Sequence, residues 1–349
     1  YLHLASQENR KLTEVLQKSG GTCVAYETVK DEKGKTPLLD PMSKVAGILA
    51  AYLGAFYSQN AEVVGRIRKR VVVRNPELLQ QAINNYPNLP AMLPPGNLVV
   101  HGGGVVGVNS AEIWARMGGM ATITEINAER VQWLKEYFES RHLPVMILDP
   151  VSESGKVLEA QKEADVIIGA VYLPGRRAPP VLGKKALQQI GGGKVIIDVA
   201  VDQGGCIYGT RPTTHENPLY VDRFGNIRYS VPNMPALVGK GASLALEEAT
   251  LPYTIGLARG LEEAVSEFPE LVKGINVIDG KVTNLGVAEA HKLDYTPLEE
   301  ACRAQGERAP AAEPRDEATE ETGETTLPPS APPKATRGSA HVLTLAGLT

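Results

Sequence analysis

The stretch LVVHGGGVVGVNSAEI, residues 98–113, limits the possible folds of this chain more than any other. An apolar run with strand character breaks on three consecutive glycines and resumes in a helical pattern. Gly102, Gly104 and Gly107 satisfy G-x-G-x-x-G directly after that strand and before that helix. Each glycine answers a different need: a tight turn, close approach of the backbone to a pyrophosphate, and close helix–strand packing. The helix N-terminus then offers free N–H groups and the positive end of its dipole to phosphate. A second apolar run, ATITEI, carries Glu125, 23 positions after Gly102. A carboxylate there accepts hydrogen bonds from both ribose hydroxyls and repels a 2′-phosphate. The context favours a dinucleotide over a plain packing turn, and NAD(H) over NADP(H).

The surrounding pattern alternates helices and strands. ENRKLTEVLQKSG reads as a helix with apolar positions at Leu12, Val15 and Leu16, ended by Gly20 and Gly21; TCVAYET follows as a strand rich in β-formers. KVAGILAAYLGAFY is an Ala/Gly-rich apolar helix that has to be buried. SAEIWARM reads as a helix, and DVIIGAVYL and GKVIIDVAVD are continuous apolar runs capped by polar residues, as strands buried on both faces are. The fold class is α/β: two domains, a Rossmann-type doubly wound parallel sheet plus an incomplete, discontinuous α/β substrate domain.

Composition narrows the partners. The chain has 349 residues, 43% of them hydrophobic, enough for a sizeable core in two domains. Its net charge of −4 favours neither nucleic acid nor an anionic membrane. No apolar run approaches the roughly 20 residues of a membrane span. Cys23, Cys206 and Cys302 are too scattered for a disulfide framework or a zinc site, which points to a reducing, cytoplasmic setting.

Two further segments hold candidate chemistry. YLHLAS opens the chain without Met and places His3 between leucines; alone it reads as an ordinary histidine. In VIIDVAVDQGGCIYGTRPTTHENP, Asp198 and Asp202 fall near the end of an apolar strand, where open α/β sheets bind ligands. On residue chemistry alone Asp202 stands open between a strand-ending cap and a functional carboxylate.

At this point the chain resembles the alanine dehydrogenase family, which also contains the NAD-binding component of proton-translocating transhydrogenases. The matching stretches are YLHLAS, VAYETV, PLLDPMSKVAG, GGGVVG, ADVIIGAVYLPGRRAPP, VIIDVAVDQGGC, RPTTHENP, VPNMPALV, ATLPYTIGLA and GKVTNLGVAEAHKLDYTPLEEA. They cover most of residues 1–57 and 97–302, and VDQGGC with RPTTH and PNMP points to alanine dehydrogenase over transhydrogenase. The resemblance implies reversible NAD-dependent oxidative deamination of L-alanine to pyruvate and ammonia, and a hexameric homo-oligomer. It makes His3 the acid–base group beside the substrate carbonyl and Asp202 its partner in proton transfer. By the same resemblance Ser43 contacts the pyrophosphate, and Glu125 holds the adenosine ribose with Arg130 near the adenine. Ser152 and Val171 border the adenine pocket, with Tyr172 where the family more often has an aliphatic residue. Arg211 and Val199 reach the cofactor, and Val231, Asn233 and Met234 lie along the nicotinamide. Singly these residues have duller readings: Ser43 as a helix cap, Arg211 as a surface charge, Met234 as core filling.

Two departures from the family pattern matter. Family members carry a segment before YLHLA with the arginine and lysine that grip the substrate carboxylate, so the resemblance implies an N-terminally truncated chain with impaired activity. The family's Gly-rich segment after Tyr57 is replaced by residues 58–96, in which RIRKR reads as a solvated surface and NPELLQQAI as a short helix capped by Asn75. The expected partition is residues 1–39 and 240–302 for the substrate domain, 40–239 for the dinucleotide domain, and 303–349, rich in Pro, Glu, Thr and Ala, for a disordered tail. Two other functions are compatible with the sequence: a nonenzymatic NAD-binding or assembly subunit, and the transhydrogenase component.

Overall fold

The computed structural model describes residues 2–6, 9–59, 95–173 and 180–306. RIRKR, NPELLQQAI and nearly all of the 303–349 segment lie outside the described residues.

Helix α1 (Arg10–Ser19) ends on Gly20 in the left-handed conformation, and strand β1 (Cys23–Val24) follows. Helix α2 (Asp40–Gln59) leads into the large sheet. There β2 (Asn97–His101), α3 (Val105–Arg116), β3 (Met120–Thr124), α4 (Ala128–Glu139) and β4 (Val145–Leu148) alternate. They are followed by α5 (Ser154–Glu163), β5 (Val166–Gly169), α6 (Lys184–Ile190) and β6 (Val195–Asp198). A hairpin of β7 (Leu219–Val221) and β8 (Ile227–Tyr229) completes this part. The long helix α7 (Gly239–Arg259) then leads through α8 (Leu261–Glu267) and α9 (Leu271–Gly274) to β9 (Ile275–Ile278) and β10 (Lys281–Val282). Helices α10 (Leu285–His291) and α11 (Leu298–Gly306) close the described chain.

The seven-stranded sheet has the order β4-β3-β2-β5-β6-β8-β7, parallel except for β7. Leaving out that antiparallel edge, it is the doubly wound order whose direction of progression reverses between β2 and β5. Leu98, Val100, Val166, Ile168, Val195 and Ile197 are buried in one core with α2 residues Leu49, Ala50, Leu53 and Tyr57 and with Trp114 of α3. Helix α2 sits close because it carries small residues at the contacts. A Cβ at Gly47 would lie 2.5 Å from the Val106 carbonyl oxygen, and one at Gly54 would lie 2.8 Å from Val166 Cγ1.

The second sheet is small and antiparallel, ordered β1-β9-β10. Leu2, Leu4, Leu16, Cys23, Val277, Val282 and Val287 form its core. The YLHLAS segment thus packs as a leg of this core.

Several expectations are corrected. TCVAYET is a strand for two residues only; Tyr26–Thr28 turns into a 3-10 helix, because the Thr28 hydroxyl bonds the Ala25 carbonyl and Asn276 Oδ1. Val15 faces solvent at 62% exposure, while Thr13 and Leu16 make the buried side of α1. The helix expected at SAEIWARM begins earlier, at Val105, which places Gly107 inside its first turn. The VIIDVAVD strand stops at Asp198, where a 3-10 turn over Val199–Gln203 takes over. Ser43 lies inside α2, as its fourth residue, so it is not the helix cap. The segment expected to be a tail from residue 303 is helical to Gly306.

Candidate active site

The glycine turn stands where the strand order reverses, with His101 of β2 opposite Gly169 of β5. Gly102 has φ +104°, and a Cβ there would lie 2.7 Å from the Ala170 carbonyl oxygen. At Gly107 a Cβ would run into the Gly102 carbonyl, and at Gly103 it would lie 2.6 Å from Leu134 Cδ1. These three glycines are demanded by the protein itself. Gly104 differs: with φ −72° and ψ −165° its backbone suits any residue, and a Cβ would meet no atom within 4 Å. The space in front of it is open and belongs to the cleft. Gly104 is also the N-cap of α3, a 12-residue helix with no side-chain cap, so the first-turn amides stay available to an anion.

Glu125, just beyond β3, is held beside the turn. Its Oε2 accepts from the Gly103 amide at 2.9 Å, and its Oε1 accepts from Ile126 and Asn127 amides at 2.8 and 2.9 Å. Arg130, in the first turn of α4, donates through Nε to the Gly103 carbonyl at 2.7 Å and stacks over Trp133 at 4.0 Å. The carboxylates of Glu125 and Asp40 both bear on its guanidinium. Burial raises the Asp40 carboxyl above the usual range, while the Thr36 hydroxyl, Lys35 and Arg130 counter that rise. Behind the turn His101 is buried, with Nδ1 2.9 Å from Thr124 Oγ1 and Nε2 3.1 Å from Gln161 Nε2. Burial lowers this imidazole to about 4, so it stays neutral at physiological pH.

The two aspartates of VIIDVAVD separate into different jobs. Asp198 is 1% exposed and accepts from the amides of Ala200, Cys206 and Ile207 and from the Thr210 hydroxyl. Arg228, also 1% exposed, donates to Thr210 Oγ1 at 2.8 Å and pairs with Asp222 at 3.4 Å. This network is the cap reading, and it shapes the loop that presents Asp202. Asp202 is half-buried, takes the Asn233 amide at 3.2 Å, and faces the cleft. Asn233 adopts φ +51°, a left-handed conformation that asparagine tolerates better than most residues.

His3 comes from the other side. Its backbone amide donates to Glu27 Oε1 at 2.6 Å, and its Nδ1 lies 3.9 Å from the same oxygen. A cleft of about 1660 Å³ is lined at once by His3, Ser43, Gly102, Gly104, Glu125, Arg130, Val171, Val199, Asp202 and Asn233. Tyr172 lines it too.

Other expected residues lie off the lining. Gly107 works by packing against Gly102. Ser152 is exposed and donates to Asp149 Oδ2 at 2.7 Å. Arg211 is exposed and stacks on Tyr220 at 4.1 Å. Val231 and Met234 are buried in the main core. Gly103, Glu27, His101 and Gln161 were not singled out from the sequence. Only Gly103 had a visible signal, as the middle of three glycines. Among the described residues no cluster able to hold a metal ion occurs, and no helix is long and apolar enough to cross a membrane.

Residues 78–285 match the family described as "Alanine dehydrogenase/PNT, C-terminal domain". The chain is 39% identical over 303 residues to an alanine dehydrogenase of Methanococcus maripaludis, covering 86% of this chain and 74% of that protein. It is 38% identical over 296 residues to an alanine dehydrogenase of Halomonas elongata, covering 84% and 73%. A solved L-alanine dehydrogenase superposes with a TM-score of 0.64 at 38% identity, covering 84% of this chain and 74% of that one. A transhydrogenase of Sinorhizobium meliloti, at 19% identity and a TM-score of 0.57, shares the fold.

Proposed function

Because the chain belongs to the alanine dehydrogenase family, we infer that it catalyses the reversible, NAD-dependent oxidative deamination of L-alanine to pyruvate and ammonia. The observation that carries this reading to named residues is the shared cleft, in which His3 and Asp202 face the same space as the glycine turn and Glu125. The residues present fit a dinucleotide: the bare face of Gly104, the uncapped α3 and the Glu125 carboxylate stand together. NAD supplies the acceptor for the hydride that leaves Cα of alanine.

The chain's own residues bind, align and move protons. The amides after Gly104, with Ser43, would hold the diphosphate; Glu125 and Arg130 would hold the adenosine side; Val171, Val199 and Asn233 would border the rest of the cofactor. Alignment of Cα with the hydride acceptor supplies much of the rate. Oxidation leaves an iminium carbon that water attacks, giving a carbinolamine, which loses ammonia as its hydroxyl loses a proton. His3 exchanges the proton of that oxygen, since imidazole does so near neutral pH. Asp202 steers the water and the departing ammonia from the opposite wall.

We further place residues 1–39 and 240–302 in the substrate domain and 40–239 in the dinucleotide domain, with a homo-oligomer, a hexamer by resemblance, as the working assembly. A cytoplasmic setting agrees with Cys23, Cys206 and Cys302, each a free thiol. The direct test follows NADH absorbance with purified protein. Formation of NADH that requires L-alanine is expected; none under conditions where NAD binds would overturn the assignment.

A further inference from the structure

Glu27 is a charged side chain with no place in the scheme above. It is 2% exposed, on the 3-10 turn Tyr26–Thr28 that replaces the expected strand. Burying a carboxylate is costly unless it is paired and hydrogen-bonded. Both its oxygens point at the YLHLAS segment: Oε2 accepts from the Leu2 amide at 3.3 Å and Oε1 from the His3 amide at 2.6 Å. The His3 ring also lies within pairing distance, Nδ1 at 3.9 Å.

The backbone at His3 is itself unusual. Its φ of +44° lies in the left-handed region, where bulky residues are rare and are held by their surroundings. The clamps are specific. Asn9 Nδ2 donates to the Leu2 and His3 carbonyls, each at 3.2 Å, and the Ser6 amide donates to the His3 carbonyl at 2.9 Å. Thr13 Oγ1 and His291 Nε2 both donate to the Leu4 carbonyl. Nδ1 is the buried nitrogen of the ring, while the ring as a whole is 25% exposed and lines the cleft.

We propose that Glu27 is the positioning residue for His3: it captures the two amides that set the strained backbone, and its carboxylate faces the Nδ1 edge so that Nε2 is presented to the cleft. The proposal rests on the reading of His3 as the acid–base group. At 3.9 Å from Nδ1 the carboxylate is beyond hydrogen-bond reach of the ring, so it acts on it through its charge, which favours the imidazolium that forms when Nε2 takes the proton. Each carboxylate oxygen takes one of the two amides, whereas a glutamine would turn an NH2 donor toward one of them, so the site asks for a carboxylate. Glu27 lies beside Nδ1 of the ring, and Tyr26, Lys35, Asp40, Glu125, Arg130 and Asp202 line the same cleft; His291 of α10 meets the Leu4 carbonyl.

The test substitutes Glu27→Gln, which keeps the shape and one acceptor oxygen but removes the charge. The expected result is a kcat lower by about tenfold or more with the low-pH limb of its pH profile displaced, while KM for alanine and Kd for NAD stay near wild type. Glu27→Asp, which withdraws the carboxylate by one methylene, should give an intermediate profile, and serves in its place if Glu27→Gln fails to fold. An unchanged pH profile of kcat, even alongside a lower kcat, would overturn the proposal by showing a purely structural role. Full turnover in His3→Gln would instead refute the acid–base reading itself, whatever Glu27→Gln does.

Discussion

Gly104→Ala separates what the cofactor needs from what the fold needs. The added methyl would sit at φ −72° and ψ −165° with no heavy atom within 4 Å, so neither strain nor a clash opposes it. Stability should change by no more than about 0.5 kcal/mol, and a slight gain from reduced freedom of the unfolded chain is the expected sign. Binding should behave differently, because the methyl occupies the space in front of the α3 amides. Displacing a diphosphate there loses one or two charge-assisted hydrogen bonds, about 1.5–3 kcal/mol, or roughly a 10- to 150-fold rise in Kd for NAD. Gly102→Ala is the control. At φ +104°, with the Ala170 carbonyl oxygen 2.7 Å away, it should cost about 1–3 kcal/mol in backbone strain before the clash is counted. Thermal unfolding and calorimetric NAD titration of both variants decide the matter. Gly104→Ala binding NAD like wild type, or losing as much stability as Gly102→Ala, would refute the argument.

Glu125→Ala should weaken NAD by about 1–3 kcal/mol and narrow the preference over NADP, since it removes the carboxylate that repels a 2′-phosphate and the acceptor that holds the Gly103 amide; paired titrations with the two cofactors check this, and an unchanged NAD/NADP ratio would count against it. His101 makes stability depend on pH. Its folded pKa of about 4 lies below the usual value of about 6.5, so the unfolded chain takes up a proton first. That contribution is complete above about pH 6.5 and is lost as pH falls toward about 4, roughly 3 kcal/mol across the window. In His101→Gln, urea unfolding between about pH 7 and about pH 4.5 should lose most of this slope; the same slope in the variant would place it elsewhere.

The parts of this fold that follow from local pattern were legible in the sequence. The change from an apolar strand to a glycine turn to a helix at residues 98–113 read correctly because strand, turn and helix each impose a short-range signature. TCVAYET misled because its β-formers express a propensity that tertiary contacts overrode: Glu27 and Thr28 turn inward to partners on distant segments. Val15 misled for a related reason, since the polar Thr13 earns its burial through the Asn9 and Leu4 carbonyls. Asp198 and Asp202 look alike in sequence, and only the fold shows that one is enclosed by amides while the other faces the cleft. Glu27 and His101 sit in quoted stretches but owe their contacts to residues 24 and 60 positions away, which no local pattern reveals.

The proposed pairing of His3 with Asp202, which line one cleft, is tested most directly by kcat for L-alanine-dependent NADH formation in Asp202→Ala, measured beside its Kd for NAD. Turnover lower by about 10²–10⁴-fold, with Kd within a few-fold of wild type, is expected of a proton-transfer group that does not hold the cofactor. Turnover close to wild type in Asp202→Ala would contradict it.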